Sequence, residues 1–140
     1  NQVVVYYIGD SSAYGLTKDN EMTVVTVEDS FVGALISAGA ITQEEAKTHP
    51  ERHVLTQALA TRDNINLHTF IDDLSKYDYF LLCSDGLTNM MENEEIQDIV
   101  RNNELSISVE KLIELCVNRG GVDNISVAII KNLGGVNHDK

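Results

Sequence analysis

Three short apolar runs, each next to a turn segment that contains glycine and aspartate, constrain the fold of this chain most strongly. They are residues 3–8 (VVVYYI), 79–83 (YFLLC) and 125–130 (ISVAII). Continuous runs of this length, rich in β-branched and aromatic residues, predict strands buried on both faces. Shorter strands are predicted at residues 13–16, 22–27 and 66–70, so most of the sheet-forming residues lie in segments of four to six residues.

Helices are predicted between these strands. Thr42 and Glu45 form a capping box, and Pro50 limits the helix that follows it. Asn93 and Ser108 are predicted to cap two further helices. The second of these carries an apolar stripe at i, i+3, i+4, i+7 and i+8, namely Val109, Leu112, Ile113, Cys116 and Val117. The order of elements predicts an α+β fold with helices laid against sheet faces.

Composition limits the classes of partner. The 140 residues include 22 acidic and 10 basic side chains, a formal charge of −12, which disfavours nucleic acid and anionic membrane surfaces. The chain lacks the roughly 18 consecutive apolar residues of a membrane span.

The domain organisation is simple. Because no linker divides the sequence, we predict one domain over residues 1–131 and a frayed tail at 132–140. Cys83 and Cys116 sit in apolar runs and are predicted to be reduced core thiols, as in the cytoplasm.

Three aspartates flank the main apolar runs. Asp10 and Asp85 follow the ends of two runs, and Asp123 precedes the third. If the third strand is antiparallel to the other two, all three carboxylates meet at one sheet edge. Clustered carboxylates repel one another unless they share a proton or bind a hard divalent cation. No lysine or arginine lies within three residues of Asp85, so Mg²⁺ or Mn²⁺ is the favoured neutraliser.

Two simpler interpretations stand beside this one. Gly-Asp, Asp-Gly and Asp-Asn are common turn dipeptides, and each aspartate taken alone is more typical of a turn. His49, His53 and His68 do not show the spacing of a zinc site and are interpreted as structural residues.

The motifs and their order resemble the metal-dependent protein phosphatases of the PPM (type 2C) family in their bacterial form. The resemblance runs from about residue 3 to residue 130 and is carried by the segments 9–14 (GDSSAY), 28–32 (EDSFV), 39–46 (GAITQEEA), 49–50 (HP), 55–59 (LTQAL), 84–87 (SDGL) and 121–127 (GVDNISV). It implies an α/β/β/α layered sandwich of antiparallel sheets flanked by helices, of which this chain holds the C-terminal part. It also implies a mobile flap from about residue 30 to residue 53.

The resemblance assigns roles to the three aspartates. Asp85 and Asp123 match ligands of a binuclear Mn²⁺ or Mg²⁺ centre, and Asp10 matches an aspartate that joins Asp85 in holding a third, looser ion. The implied activity is hydrolysis of phosphoserine and phosphothreonine in proteins, including substrates of a Ser/Thr kinase, by a water that two metal ions activate.

Departures from the family pattern lead to further expectations. Ser12 replaces an arginine, Glu28 and Asp29 replace an Asp-His pair, and Ala60 replaces a glycine. The chain begins at Asn1 without the family's N-terminal metal-ligand motif or its phosphate-binding arginine. The fragment alone is therefore predicted to be nearly inactive and to self-associate through uncovered sheet edges. A catalytically dead binding or regulatory module is the alternative.

Overall fold

The computed structural model describes residues 1–59 and 65–134. Within these ranges the strands are β1 (Gln2–Tyr7), β2 (Ser12–Thr17), β3 (Met22–Val24), β4 (His68–Asp73), β5 (Tyr77–Cys83) and β6 (Val127–Lys131). The helices are α1 (Phe31–Ser37), α2 (Gln43–Thr48), α3 (Asp85–Thr88), α4 (Asn93–Asn102) and α5 (Leu105–Asn118), with a short 3₁₀ helix at Leu74–Lys76. The predicted α+β class is confirmed, whereas the predicted strands 22–27 and 66–70 lie at 22–24 and 68–73.

The strands form two antiparallel sheets. The larger has the order β3-β2-β5-β6, and the smaller pairs β1 with β4. The prediction of burial on both faces is wrong for residues 3–8 and 125–130. β1 alternates between half-buried and exposed residues, with Tyr6 66% exposed, and β6 leaves Ala128 and Ile130 exposed. β1 lies in the two-stranded sheet and β6 is an edge strand of the larger sheet, so neither strand is covered on both faces. A cleft of about 640 Å³, lined mainly by apolar side chains, lies where β1 faces β2, β5 and β6.

The hydrophobic core lies on the other face of the larger sheet, beneath α3, α4 and α5. Its fully buried members are Leu16, Leu81, Leu87, Ile96, Val100, Leu112 and Cys116. Strand residues at alternate positions and helix residues on one side thus form a single packed layer. Cys83 and Cys116 are buried free thiols, as predicted.

Helix α5 differs from the prediction in its N-cap and in its apolar stripe. The helix begins at Leu105 after Glu104, so Ser108 is inside it rather than at its end. Ser108 is fully buried because its hydroxyl donates a hydrogen bond to the Ile99 carbonyl of α4 at 3.1 Å. The buried residues of α5 are Ser108, Leu112 and Cys116, whereas Val117 of the predicted stripe is 58% exposed.

The ends of other elements also differ from prediction or lie outside the description. Helix α4 has Glu92 rather than Asn93 at its N-cap, with Glu95 completing a capping box. In the predicted tail, the Asn132 side chain donates to the carbonyls of Leu74 and Tyr77 at 3.1 and 2.9 Å. Residues 135–140 of that tail and Ala60 lie outside the described residues. In the described ranges, no helix is both long and apolar enough to cross a bilayer.

Candidate metal-binding site

One edge of the larger sheet gathers the ends of three strands. In the register, Ser12 at the start of β2 lies opposite Cys83 at the end of β5, which lies opposite Val127 at the start of β6. Asp10 precedes β2, Asp85 follows β5, and Asp123 precedes β6. The antiparallel pairing of β5 with both β2 and β6 therefore brings the chain segments of all three aspartates to the same edge.

The route by which Asp10 reaches this edge differs from the prediction. The strand before it, β1, was expected to run in the same sheet as β5 but belongs to the two-stranded sheet. Asp10 is instead brought to the edge by the turn into β2. That turn uses Gly9 at φ +87°, a left-handed conformation that favours glycine.

The loop carrying Asp123 is tied closely to the end of β5. The Ser84 hydroxyl donates to the Asn124 carbonyl at 3.2 Å and accepts from the Ser126 amide at 3.0 Å. The Asp123 carboxylate accepts from the amide of the next residue, Asn124, at 2.7 Å, whereas an Asx turn uses the amide two residues on. A Cβ atom on Gly86 would lie 2.3 Å from the Asn124 carbonyl oxygen, so the segments of Asp85 and Asp123 can meet only with glycine there.

The three carboxylates interact electrostatically. Burial raises the pKa of Asp85, and the negative charges of Asp10 and Asp123 raise it further. A raised pKa at an acidic sheet edge indicates charge repulsion that a bound cation would relieve.

Two residues near this edge were not predicted as site residues. Desolvation raises the pKa of Glu28, and Asp10 and Asp85 raise it further, so Glu28 adds a fourth carboxylate. The charge of His53 offsets a small part of the rise in the pKa of Asp85, so His53 lies near the acidic edge. The acidic pair at residues 28 and 29 was the available signal for Glu28, but it was interpreted only as a departure from a motif.

The described side chains do not form a complete metal cage. Among residues 1–59 and 65–134, no group of three histidine, cysteine, aspartate or glutamate side chains could hold a metal ion. The edge nevertheless offers oxygen donors of the type that Mg²⁺ and Mn²⁺ prefer.

Comparison with known proteins identifies the family. Residues 64–125 match the protein phosphatase 2C family. Protein phosphatase PhpP of Streptococcus pneumoniae is 40% identical over 131 residues, which are 93% of this chain and 53% of that protein. The serine/threonine protein phosphatase PstP of Mycobacterium tuberculosis is 37% identical over 129 residues, 92% of this chain and 25% of that protein.

The fold agrees with this match. A serine/threonine phosphatase from Staphylococcus aureus superposes with a TM-score of 0.86 at 34% identity, over 96% of this chain and 52% of that one. This chain belongs to the protein phosphatase 2C family. The catalytic domain of PstP in complex with two manganese ions superposes on this type 2C chain with a TM-score of 0.77 at 35% identity, over 92% of this chain and 53% of that one.

These likenesses confirm the predicted family and its layered antiparallel fold. The type 2C chain spans about half the length of most of the relatives that it matches. The matched relatives are named protein phosphatases, and one of them binds manganese. The general function of the family is therefore metal-dependent dephosphorylation of proteins on serine and threonine.

Proposed function

We propose that this chain contributes the Asp85–Asp123 sheet edge to a metal-dependent protein serine/threonine phosphatase. Asp85 and Asp123 are ligands of a binuclear centre that takes Mn²⁺ or Mg²⁺, and Asp10 joins Asp85 in holding a third ion. The observation that carries this proposal is the strand register that brings the three aspartate segments to one sheet edge, where the charges of Asp10 and Asp123 raise the pKa of Asp85.

The donor chemistry of the edge fits such ions. Carboxylate oxygens are hard ligands, and Mg²⁺ and Mn²⁺ accept them in octahedral geometry. When bound, a pair of these cations supplies the activated water and the positive charge that phosphomonoester hydrolysis needs. Asp85 and Asp123 balance that charge and fix the ion positions. Neither residue is required to carry a proton.

The environment of Cys83, near the same sheet edge, disfavours a cysteine nucleophile. Burial, with a smaller contribution from the negative charge of Asp85, raises the pKa of Cys83 to about 12. A thiol in that setting stays protonated at neutral pH and is a poor nucleophile. The buried, free state of both cysteines also supports the proposed location of the protein in the reducing cytoplasm.

The proposed substrates are proteins phosphorylated on serine or threonine, including those of a Ser/Thr kinase. The segment 30–53, which holds α1 and α2, is the proposed flap beside the site. We call it the flap segment. Its position next to the site is supported by Glu28, two residues before the segment, and by His53 at its end, both of which interact electrostatically with Asp85.

The 140-residue chain by itself is proposed to hydrolyse phosphopeptides far more slowly than an intact family member. The support is the lack of a three-ligand metal group among the described residues. Release of phosphate from a phosphothreonine peptide in the presence of Mn²⁺ measures this directly. Manganese-dependent hydrolysis at the rate of an intact enzyme would contradict it.

Binding of Mn²⁺ to the chain tests the site apart from turnover. We expect Asp85→Asn and Asp123→Asn to weaken Mn²⁺ binding at least tenfold in calorimetric titration. Asp19→Asn, in the exposed turn between β2 and β3, is the matched control and leaves Mn²⁺ binding unchanged. If the wild-type chain binds no Mn²⁺, the metal proposal fails and the alternative of a binding or regulatory module is favoured.

Self-association is a further proposal for this chain, with a second copy as the partner. Apolar side chains on the smaller sheet and on β6 are exposed, among them Tyr6 at 66%, Ile71 at 57% and Ile130 at 55%. Exposed apolar faces and strand edges favour pairing with another copy. A clean monomer in sedimentation at micromolar concentration would contradict this proposal.

A further inference from the structure

Asp29 is a buried carboxylate immediately before the flap segment. Its side chain is 10% exposed, and its Oδ1 atom lies 2.7 Å from Nε2 of His68 on β4. Its Oδ2 atom accepts a hydrogen bond from the Gly9 amide at 2.9 Å. One side chain thus joins the flap segment, the smaller sheet and the turn that precedes β2.

The chain where the flap segment begins is also joined through the main chain to the residues that follow its end. The Thr56 amide donates to the Asp29 carbonyl at 2.6 Å, and the Phe31 amide donates to the Val54 carbonyl at 2.8 Å. An isolated bridge pairs Ser30 with Leu55. These contacts form a neck, defined here as residues 29–31 and 54–56, from which the flap segment projects.

His68 is held in place for its contact with Asp29. Its ring stacks on Tyr7 of β1, with centroids 5.1 Å apart and an interplanar angle of 22°. The Gln57 side chain is itself fixed next to His68, because it exchanges two hydrogen bonds of 3.0 Å with the main chain of Asn66. Since Asp29 accepts at this short distance, Nε2 carries the hydrogen that it donates.

The contact with Gly9 extends this arrangement to the metal-binding edge. Gly9 donates its amide to the Asp29 side chain, and its carbonyl accepts from the Asp29 amide at 2.9 Å. Both main-chain groups of Gly9 are therefore held by Asp29. Asp10 is the next residue, so a movement of the Asp29 main chain also moves the point from which the Asp10 side chain projects.

We infer that Asp29 and His68 form a clasp that fixes the neck of the flap segment to β4 and, through Gly9, sets the position of Asp10. They are positioning residues and do not touch the reacting atoms. The part of the inference that concerns Asp10 rests on the proposed metal site, whereas the part that concerns the neck depends on the structure alone.

The ionisation of Asp29 agrees with this geometry. Burial by itself would raise its pKa, but hydrogen bonds from Gly9, Gln57 and His68 outweigh that effect and hold the pKa below its ordinary value. The carboxylate is therefore charged at neutral pH, as its contacts with two or more donors require.

Amide hydrogen exchange at the neck tests the clasp. Because the amides of Phe31 and Thr56 donate across the neck, their exchange rates report its opening. We expect Asp29→Ala to raise both rates at least tenfold and to weaken Mn²⁺ binding several-fold. His68→Phe keeps a ring against Tyr7 and removes the Nε2 donor, and it should raise the same exchange rates.

Two further variants separate a clasp from general destabilisation. In the double variant Asp29→Ala/His68→Phe, the rates should rise no more than in Asp29→Ala alone, because the partners act as one unit. The control is Asp72→Ala, which removes another paired carboxylate, one that accepts from Lys76 at 2.6 Å and Tyr77 at 2.7 Å at the other end of β4. It should leave the neck amides and Mn²⁺ binding unchanged.

The inference is overturned if Asp29→Ala leaves the neck exchange within twofold of wild type. It is also overturned if the two single variants have additive effects, or if the Asp72 control speeds the neck amides equally. Absence of Mn²⁺ binding by the wild-type chain would count against the proposed metal site alone, and the exchange rates would still support or overturn the clasp at the neck.

Discussion

The helix-covered face of the larger sheet and the flap segment are stabilised in different ways. The first is an apolar core in which Leu112, Ile96 and Val100 are fully buried. In the flap segment, α1 buries only Val32 and Gly33, and α2 buries only Ala46. Its neck depends on main-chain hydrogen bonds and on the contacts of Asp29. We expect the core to unfold only with the whole chain and the flap segment to open locally.

The candidate site lies where these two regions meet. Asp85 and Asp123 are anchored at the ends of β5 and β6, beside the core. Asp10 and Glu28 lie on segments held by Gly9 and Asp29. A site divided in this way can keep two ligands rigid while its other side follows the flap segment. The predictions below test that division, in order of decreasing effect.

Truncation of a core residue should have the largest effect. Leu112→Ala removes a fully buried side chain and is expected to cost about 2–5 kcal/mol of global stability in urea denaturation. Val117→Ala on the same helix, where the side chain is 58% exposed, should cost less than about 0.5 kcal/mol. Equal costs would show that α5 packs by the stripe predicted from its sequence and not as the structure has it.

A methyl group at the junction of the two aspartate segments should affect both stability and metal binding. Gly86→Ala places a Cβ atom 2.3 Å from the Asn124 carbonyl oxygen, and we expect a cost of about 1–3 kcal/mol and weaker Mn²⁺ binding.

The control for that variant is Gly39→Ala. Gly39 has φ +70° and no atom within 4 Å of the added methyl group, so the cost is backbone strain of about 1–2 kcal/mol. Mn²⁺ binding should be unchanged. If both variants weaken Mn²⁺ binding alike, the close approach at Gly86 has no special part in the site.

Loss of a helix cap in the flap segment should have a local effect. The Thr42 hydroxyl accepts from the Glu45 amide at 3.2 Å, so Thr42→Ala is expected to destabilise α2 by about 1 kcal/mol. Amide exchange in α2 should rise about fivefold while the global urea midpoint stays the same. Thr48→Ala, at the other end of α2, is the control. A shift of the global midpoint would show that the flap segment unfolds with the core.

Acid should remove the stabilisation that the ionised Glu95 carboxylate gives to helix α4 at the protein surface. Hydrogen bonds from Arg119 and from the Glu92 amide lower the pKa of Glu95 from its ordinary 4.5 to about 2. The stabilisation is therefore complete above pH 4.5 and is lost as the pH falls toward 2. Glu95→Gln keeps a capping-box acceptor, so the stability difference from wild type should shrink over this range in pH-dependent denaturation. A constant difference would contradict this role for the ion pair.

Much of the local structure could be predicted from short patterns. The Thr42–Glu45 capping box is present as predicted, because all its partners lie within four residues. The positions of β2 and β5 were close for the same kind of reason. The start of α5 was not predictable, because burial of Ser108 depends on the Ile99 carbonyl of another helix. The exposed face of β1 likewise depends on which sheet that strand joins.

The candidate site, like the fold, could be predicted only in part. The sequence by itself determined which carboxylates stand at the ends of apolar runs, because glycine, aspartate and asparagine beside a β-branched run end a strand locally. Only the tertiary structure decided that Asp10 arrives by the turn into β2, that Glu28 joins the acidic edge, and that Asp29 pairs with His68. These contacts join residues distant in the chain, so their energies depend on the packing of two sheets and not on any local pattern.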